Sequence, residues 1–463
     1  MYRLSFTSLL FSTFILANVT VPSNESDLKI TIYNDNKAFI NDSRTVEVKQ
    51  GKQKLVYEGV PSSVITESVV PTFSGIKSNL YSQNYIYDLV SLQSMLEKSI
   101  DKEVAFFSND KEPTLSRGLV LSASPHVMIK EKESGRIFTL NSATQVIFDK
   151  VPSNMITKPS LVWNIESEED GRLDIDLKYL TRGVSWKSDY VLNLNKESLD
   201  LKAWITVKNN SGVAYKNADI TCLAGEVNSI RMPKINARAV RFETKASPMM
   251  DMQEVEEEAF SGYHIYKIPF RETIENKEQK QISFIDKKEI NYHQYGKSIN
   301  GYFENYGEEK LKFSNTIKFE NKKENHMGIS LPAGVVRMYQ KDSNEKTHFI
   351  GESRIHNTPE DENITLTIGT LFDAVGEKIV SKFVARKHYR NVETTYNIRN
   401  QGKESLILKI EERIPQYGND IKLKTSCQKN CSVQKKNAFI REFTIRLKAK
   451  EKYLFTSEFE VNY

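Results

Sequence analysis

Apolar and polar side chains alternate at every second position through much of the chain. Leu173, Ile175, Leu177 and Tyr179 are set against Asp174, Asp176 and Lys178, which puts one face of a strand in a core and the other in water. The same period runs through 199–207, 364–368, 406–410, 443–447 and 453–463, with Gly, Asn, Asp and Pro between the runs. The pattern predicts a mainly β protein built from multi-domain antiparallel β-sandwich and small β-barrel modules. One stretch breaks the period: Tyr85, Leu89, Leu92, Leu96 and Ile100 recur at three- and four-residue steps, predicting one short amphipathic helix over 85–100.

Before that helix, 28–40 and 44–60 read as a hairpin turning at Asn41-Asp42. After it, short runs at 104–107, 117–122, 126–131 and 136–140, with Gly118, Pro125 and Gly135 at their bends, read as a little barrel. Prolines at 152 and 159 mark a boundary, giving an N-terminal β domain over 18–158 and β-sandwich domains over 159–463. Within the latter, 245–261 carries Asp251, Glu254, Glu256, Glu257 and Glu258 with weak periodicity and reads as a mobile acidic loop.

The chain begins Met1-Tyr2-Arg3 and continues apolar or small to Ala17, then turns polar from Asn18 to Asp27. A positive start, a short apolar run and a small residue are the parts of a signal peptide, 1–17. Export to the periplasm or medium follows. No second run of about twenty apolar residues occurs, so no transmembrane segment is expected in the mature chain.

At 463 residues the chain is long enough for about three folded units. Its 39% hydrophobic, 10% aromatic and 27% charged composition fits packed soluble domains. The 65 basic and 60 acidic residues are interspersed and leave a net charge of +5. Without a basic stripe to neutralise phosphates, nucleic acid is not an expected partner.

Three cysteines change the picture locally. In an oxidising compartment Cys427 and Cys431, flanked by runs 421–425 and 433–440, are placed to bridge across a hairpin turn. Zinc would need a second Cys or His pair, and none is nearby. Cys222, inside the run 218–223, reads as a small buried hydrophobe.

Six blocks in order resemble the bacterial domain-of-unknown-function 4139 family, relatives of the mucoidy inhibitor proteins. They are YLTRGVSWKSDY (179–190), NNSGVAYKNADITCLAGEVN (209–228), YHIYKIP (263–269), LPAGVVRMY (331–339), FIGESRIHNTP (349–359) and GTLFD (369–373). The resemblance covers roughly 161–463, and 33–71 also resembles strands that often precede this domain. It implies a β-rich fold and often export. It brings no established activity and no catalytic residues.

Read on their own, the blocks are structural. Gly183 makes a tight turn that delivers Trp186 into a core, a ligand-stacking role being the alternative. The Asn209–Gly212 stretch and Leu331–Gly334 are turn chemistry. No nucleophile elbow, Cys-His signature or His-Glu-x-x-His helix occurs, and His126, His264, His293, His326, His348, His356 and His388 lack ligand spacing. The best polar constellation is Glu352, His356, Glu360, Asp361, Glu362 and Asp373, a weak candidate for a hard cation, without the Asp-rich calcium loop. No cofactor is expected.

The leading expectation is an exported non-catalytic β-sandwich protein that binds a protein or glycan partner, or gives structural support, in the envelope or at the surface. The alternatives are an exported hydrolase with a loop-built site, signalled by a pocket joining His356 or His388 to carboxylates, and an outer-membrane β-barrel, prompted by the aromatic final strand.

Overall fold

A computed structural model describes residues 18–24, 26–88, 90–108, 114–140, 145–151, 155–225, 256–260, 262–301, 305–414 and 420–462. The expected leader, 1–17, lies outside them, as do 245–255 and 261 of the expected acidic loop. Residues 256–260 of that loop form a strand, Glu256–Phe260, turning at Gly262 into Tyr263–Lys267. The chain is mainly β, in several sheets.

Two compact units share the chain. The first holds the described residues up to Trp186 with Val207–Leu223 and Lys267–Lys280, and the second holds Lys187–Thr206 with the remainder. In the first unit, strands Asn18–Val21, Gly51–Glu58, Ser160–Ser167 and Ser78–Ile86 form one sheet. Ser160–Ser167 follows the proline-flanked stretch and pairs along its whole length with Gly51–Glu58. A second sheet joins Asp27–Tyr33, Lys37–Val48, Gly171–Arg182 and Val70–Gly75. Gly171–Arg182 is the strand with the cleanest alternation, and its odd-numbered Leu173, Ile175, Leu177 and Tyr179 are all buried.

The expected hairpin turn at Asn41-Asp42 is instead the middle of strand Lys37–Val48, and the chain turns at Asp35-Asn36 and near Gly51. The reason is a buried ion pair. Arg44 reaches Asp42 at 2.6 Å and donates to the carbonyls of Pro22 and Glu58, so neither charge needs a solvated turn. The guanidinium also lies 3.9 Å from the Tyr57 ring centre.

The helix is Leu92–Glu97, six residues capped by Ser91, whose Oγ accepts from Ser94 N–H at 3.1 Å. Tyr85 and Ile86 belong to strand Ser78–Ile86, in register with Leu161 and Ser160. Ladder pairing there outweighs the helical spacing that Tyr85 shares with the residues after it.

The expected little barrel is an open five-stranded sheet in the order Ile137–Leu140, Val127–Glu131, Leu115–Ser122, Glu103–Phe107, Val146–Ile147. Its edge strands have four and two residues, too short to meet and close. The helix contributes Leu96 to a core with Phe106, Val120, Ile129 and Leu140. No sheet closes into a barrel among the described residues.

The second unit contains a five-stranded sheet in the order Glu278–Asn291, Ser198–Asn209, Val184–Leu194, Gly334–Lys341, Thr347–Ile355. It also contains a sandwich. One layer is six-stranded and includes His293–Asn300, Leu406–Arg413 and Ile440–Leu447; the other is five-stranded and includes Ala374–Arg386, Tyr389–Asn400 and Lys452–Asn462. Leu408, Phe443 and Ile445 from the first layer meet Tyr396, Ile398 and Phe455 from the second. Cys427 and Cys431, joined by a disulfide with Cα atoms 5.3 Å apart, sit where the chain crosses from edge strand Asp420–Thr425 of one layer to edge strand Cys431–Asn437 of the other.

Candidate functional site

The site begins with the central strand Val184–Leu194 of the five-stranded sheet in the second unit. From Ser188 on, Ser188, Tyr190, Leu192 and Leu194 point into the core, so Lys187, Asp189, Val191 and Asn193 point the other way. Strand Gly334–Lys341 runs parallel beside it, with Val335, Arg337 and Tyr339 opposite Asp189, Val191 and Asn193. Thr347–Ile355 is the next strand, placing Glu352 against Arg337 and Phe349 against Tyr339. Three of the six sequence blocks are therefore adjacent strands.

Asp189 is the electrostatic centre of this outward face. It accepts from Thr206 Oγ1 at 2.8 Å, from Lys187 Nζ at 3.1 Å and from Arg337 Nη1 at 3.2 Å. Gln281 donates in turn to Thr206 Oγ1, and Arg337 Nε lies 3.8 Å from Glu352. Burial pushes the Asp189 carboxyl up, but the bonds from Lys187 and Thr206, the charge of Lys187 and the bond from Arg337 outweigh it and hold the group below its ordinary range.

Aromatic rings lie on the same face. Tyr339 and Phe349 meet edge to face at 5.7 Å, with Phe349 57% exposed. Trp204 is only partly buried, in the phase of Thr206 and opposite to that of the buried Ala203 and Ile205. A face with exposed rings beside a fixed ladder of charged donors and acceptors can hold a ligand by stacking and directional hydrogen bonds.

The constellation read from the sequence does not assemble. Glu352 pairs with Arg337. His356 is exposed beyond the strand that carries Glu352, Glu360, Asp361 and Glu362 lie on an exposed turn where Asp361 adopts φ +63, and Asp373 is on a different exposed turn. Among the described residues no three His, Cys, Asp or Glu side chains are grouped to hold a metal ion. A cleft of about 240 Å³ lined by Asn291, His293, Lys318, Glu320, Lys322 and Asn325 includes neither His356 nor His388, and it is below the roughly 300 Å³ at which ligand pockets begin.

Other polar groups of the blocks are structural. Trp186 is buried and donates to the Leu223 carbonyl at 3.1 Å. Asn209, fully buried, donates to the carbonyls of Val213, Ile274 and Glu275 and accepts from Ser211. Deep in the sandwich, Glu412 accepts from Tyr396, Arg441 and Ser457 at 2.7–3.0 Å, all three of them buried. Cys222 is buried.

Sequence reasoning missed Asp189, Trp204, Arg337, Tyr339 and Phe349 as one surface. Trp204 carried a usable signal: in 199–207 it falls in the polar phase with Asp200, Lys202 and Thr206, where an aromatic has no core to fill.

Residues 175–463 match the family model described as "Domain of unknown function (DUF4139)". No curated protein matches the chain.

Proposed function

The chain belongs to the DUF4139 family, and from that premise we propose that it is an exported, non-catalytic binding protein that takes a protein or glycan partner on the outward face around Asp189. The observation that carries the reading is the combination of exposed Phe349 and partly exposed Trp204 and Tyr339 with the Lys187–Asp189–Arg337–Glu352 ladder. Rigid strands hold these groups, so little ordering cost is left to the binding step. Export is supported by the positive-then-apolar start of the chain and by a disulfide between Cys427 and Cys431, a bond that persists in oxidising compartments.

The test has two arms. Expression in a bacterial host followed by fractionation should yield protein outside the cytoplasm whose first residue follows Ala17; full-length protein starting at Met1 in the cytoplasm would remove the export reading. Isolated cell-wall polysaccharide and envelope protein, immobilised separately, should retain the wild type in one of the two cases and release the variant Y339A/F349A. Equal retention of both proteins would move the contact elsewhere.

A further inference from the structure

The open five-stranded sheet of the first unit has a second side whose apolar residues are exposed. Its inward positions, Val104, Phe106, Val120, Ile129 and Leu140, fill the core beneath the helix. Register fixes the positions that point out: Glu103, Ala105 and Phe107 oppose Leu119, Arg117 and Leu115; Leu119 opposes Lys130; Lys130 opposes Ile137; and Ile147 opposes Ala105. With Met128 they make a face on which apolar side chains outnumber charged ones. Phe107, Leu115, Leu119, Met128, Ile137 and Ile147 are each between 37% and 61% exposed.

Exposed apolar side chains gathered on one face of a sheet often mark an interaction site. We propose that this face is a self-association surface, on which a second copy of the chain stacks its own sheet. Two arguments select that occupant. The six side chains leave on the order of 500 Å² exposed per copy, so two stacked faces remove on the order of 1,000 Å², the lower bound of a specific interface. The charges on the face are also of both signs. Glu103 sits beside Arg117 and Lys132 within one copy, at 3.7 and 2.9 Å, and Lys130 lies two strands away from it, on the far side of Leu119.

A two-fold axis places a patch against itself, which a face of one sign would resist and a mixed one accepts. A groove of about 540 Å³ lined by Glu103, Leu119, Lys130 and Lys132 gives a protruding side chain of the other copy somewhere to enter. A lipid surface fits less well, since Glu103 and Arg117 lie in the middle of the face rather than at its edge.

Sedimentation velocity of the whole mature chain at micromolar concentrations reads the outcome. The wild type should sediment with the mass of two copies and L119E/I137E with the mass of one. Both positions are exposed, so the variant should keep the wild-type far-UV spectrum and melting temperature. As a guard against misfolding, the uncharged variant I137N should weaken association with every ion pair of the face intact. A wild type that stays at one copy throughout, a two-copy mass that survives L119E/I137E, or capture of a different protein or of vesicles by a monomeric wild type would overturn the proposal.

Discussion

At the scale of single residues, two carboxylates are asked to do different work. Asp189 carries three donors while Lys187 and Arg337 remain 56% and 39% exposed, so its pairs are partly screened and each contributes modestly. Its folded pKa lies below the ordinary 3.8. A depressed carboxyl stabilises the fold at every pH above its unfolded value and loses that contribution as the pH falls through its folded one. The variant D189N should thus be less stable than wild type by about 1 kcal/mol at pH 7, and the gap should close below pH 3.8, as urea midpoints at the two pH values would show. Glu412 is the opposite case, with side chains only 5% exposed for itself and 4% for Arg441. Removing one charge strands the other, so E412Q should cost about 3–5 kcal/mol in urea unfolding, whereas the well-packed double replacement E412L/R441M should cost less than that single change. Nearby Lys378 is lowered by burial, with the charges of Glu412 and Glu309 pulling partly back, so its ammonium depends on the same cluster.

At the scale of elements, the Cys427–Cys431 bridge pins a crossing between two edge strands, and Cys431 itself packs in the sandwich core. With a separation of four residues, closing so small a loop is worth about 2 kcal/mol in chain entropy. C427A/C431A should lose roughly that amount, and reductant should lower the melting temperature of the wild type but not of the variant. Strands such as Gly171–Arg182 were legible in the sequence because one wet and one dry face force alternation. Tyr85 was not, because its helical spacing is a local pattern and its ladder with Leu161 joins residues far apart in the chain. Asn41-Asp42 misled for a related reason: turn-forming residue types became strand residues once Arg44 could neutralise Asp42 in the interior. The five-stranded sheet was half legible. The short runs separated by Gly118, Pro125 and Gly135 correctly marked strands, but the closure they suggested is not made, because the edge strands are too short to meet. The face around Asp189 was the least legible, since it joins Asp189 to Arg337, 148 residues away in the sequence.

At the scale of the whole molecule, two hydrophobic cores of the described residues share no member. The core under the helix draws all its buried members from Leu96 to Val146, while the sandwich core draws its members from Leu311 to Phe455. A chain with disjoint cores need not unfold in one step, and a single free energy would then misdescribe it. Phe106 and Phe443 are both fully buried, and truncating either should cost about 3–5 kcal/mol where the cavity is left. The consequence should be local. In hydrogen-exchange mass spectrometry, F106A should raise exchange across 96–146 and leave 390–460 protected, and F443A should do the reverse. If either substitution loosens both regions equally, the cores fold as one cooperative body, and the stacking face of the small sheet could then not be altered without also disturbing the sandwich.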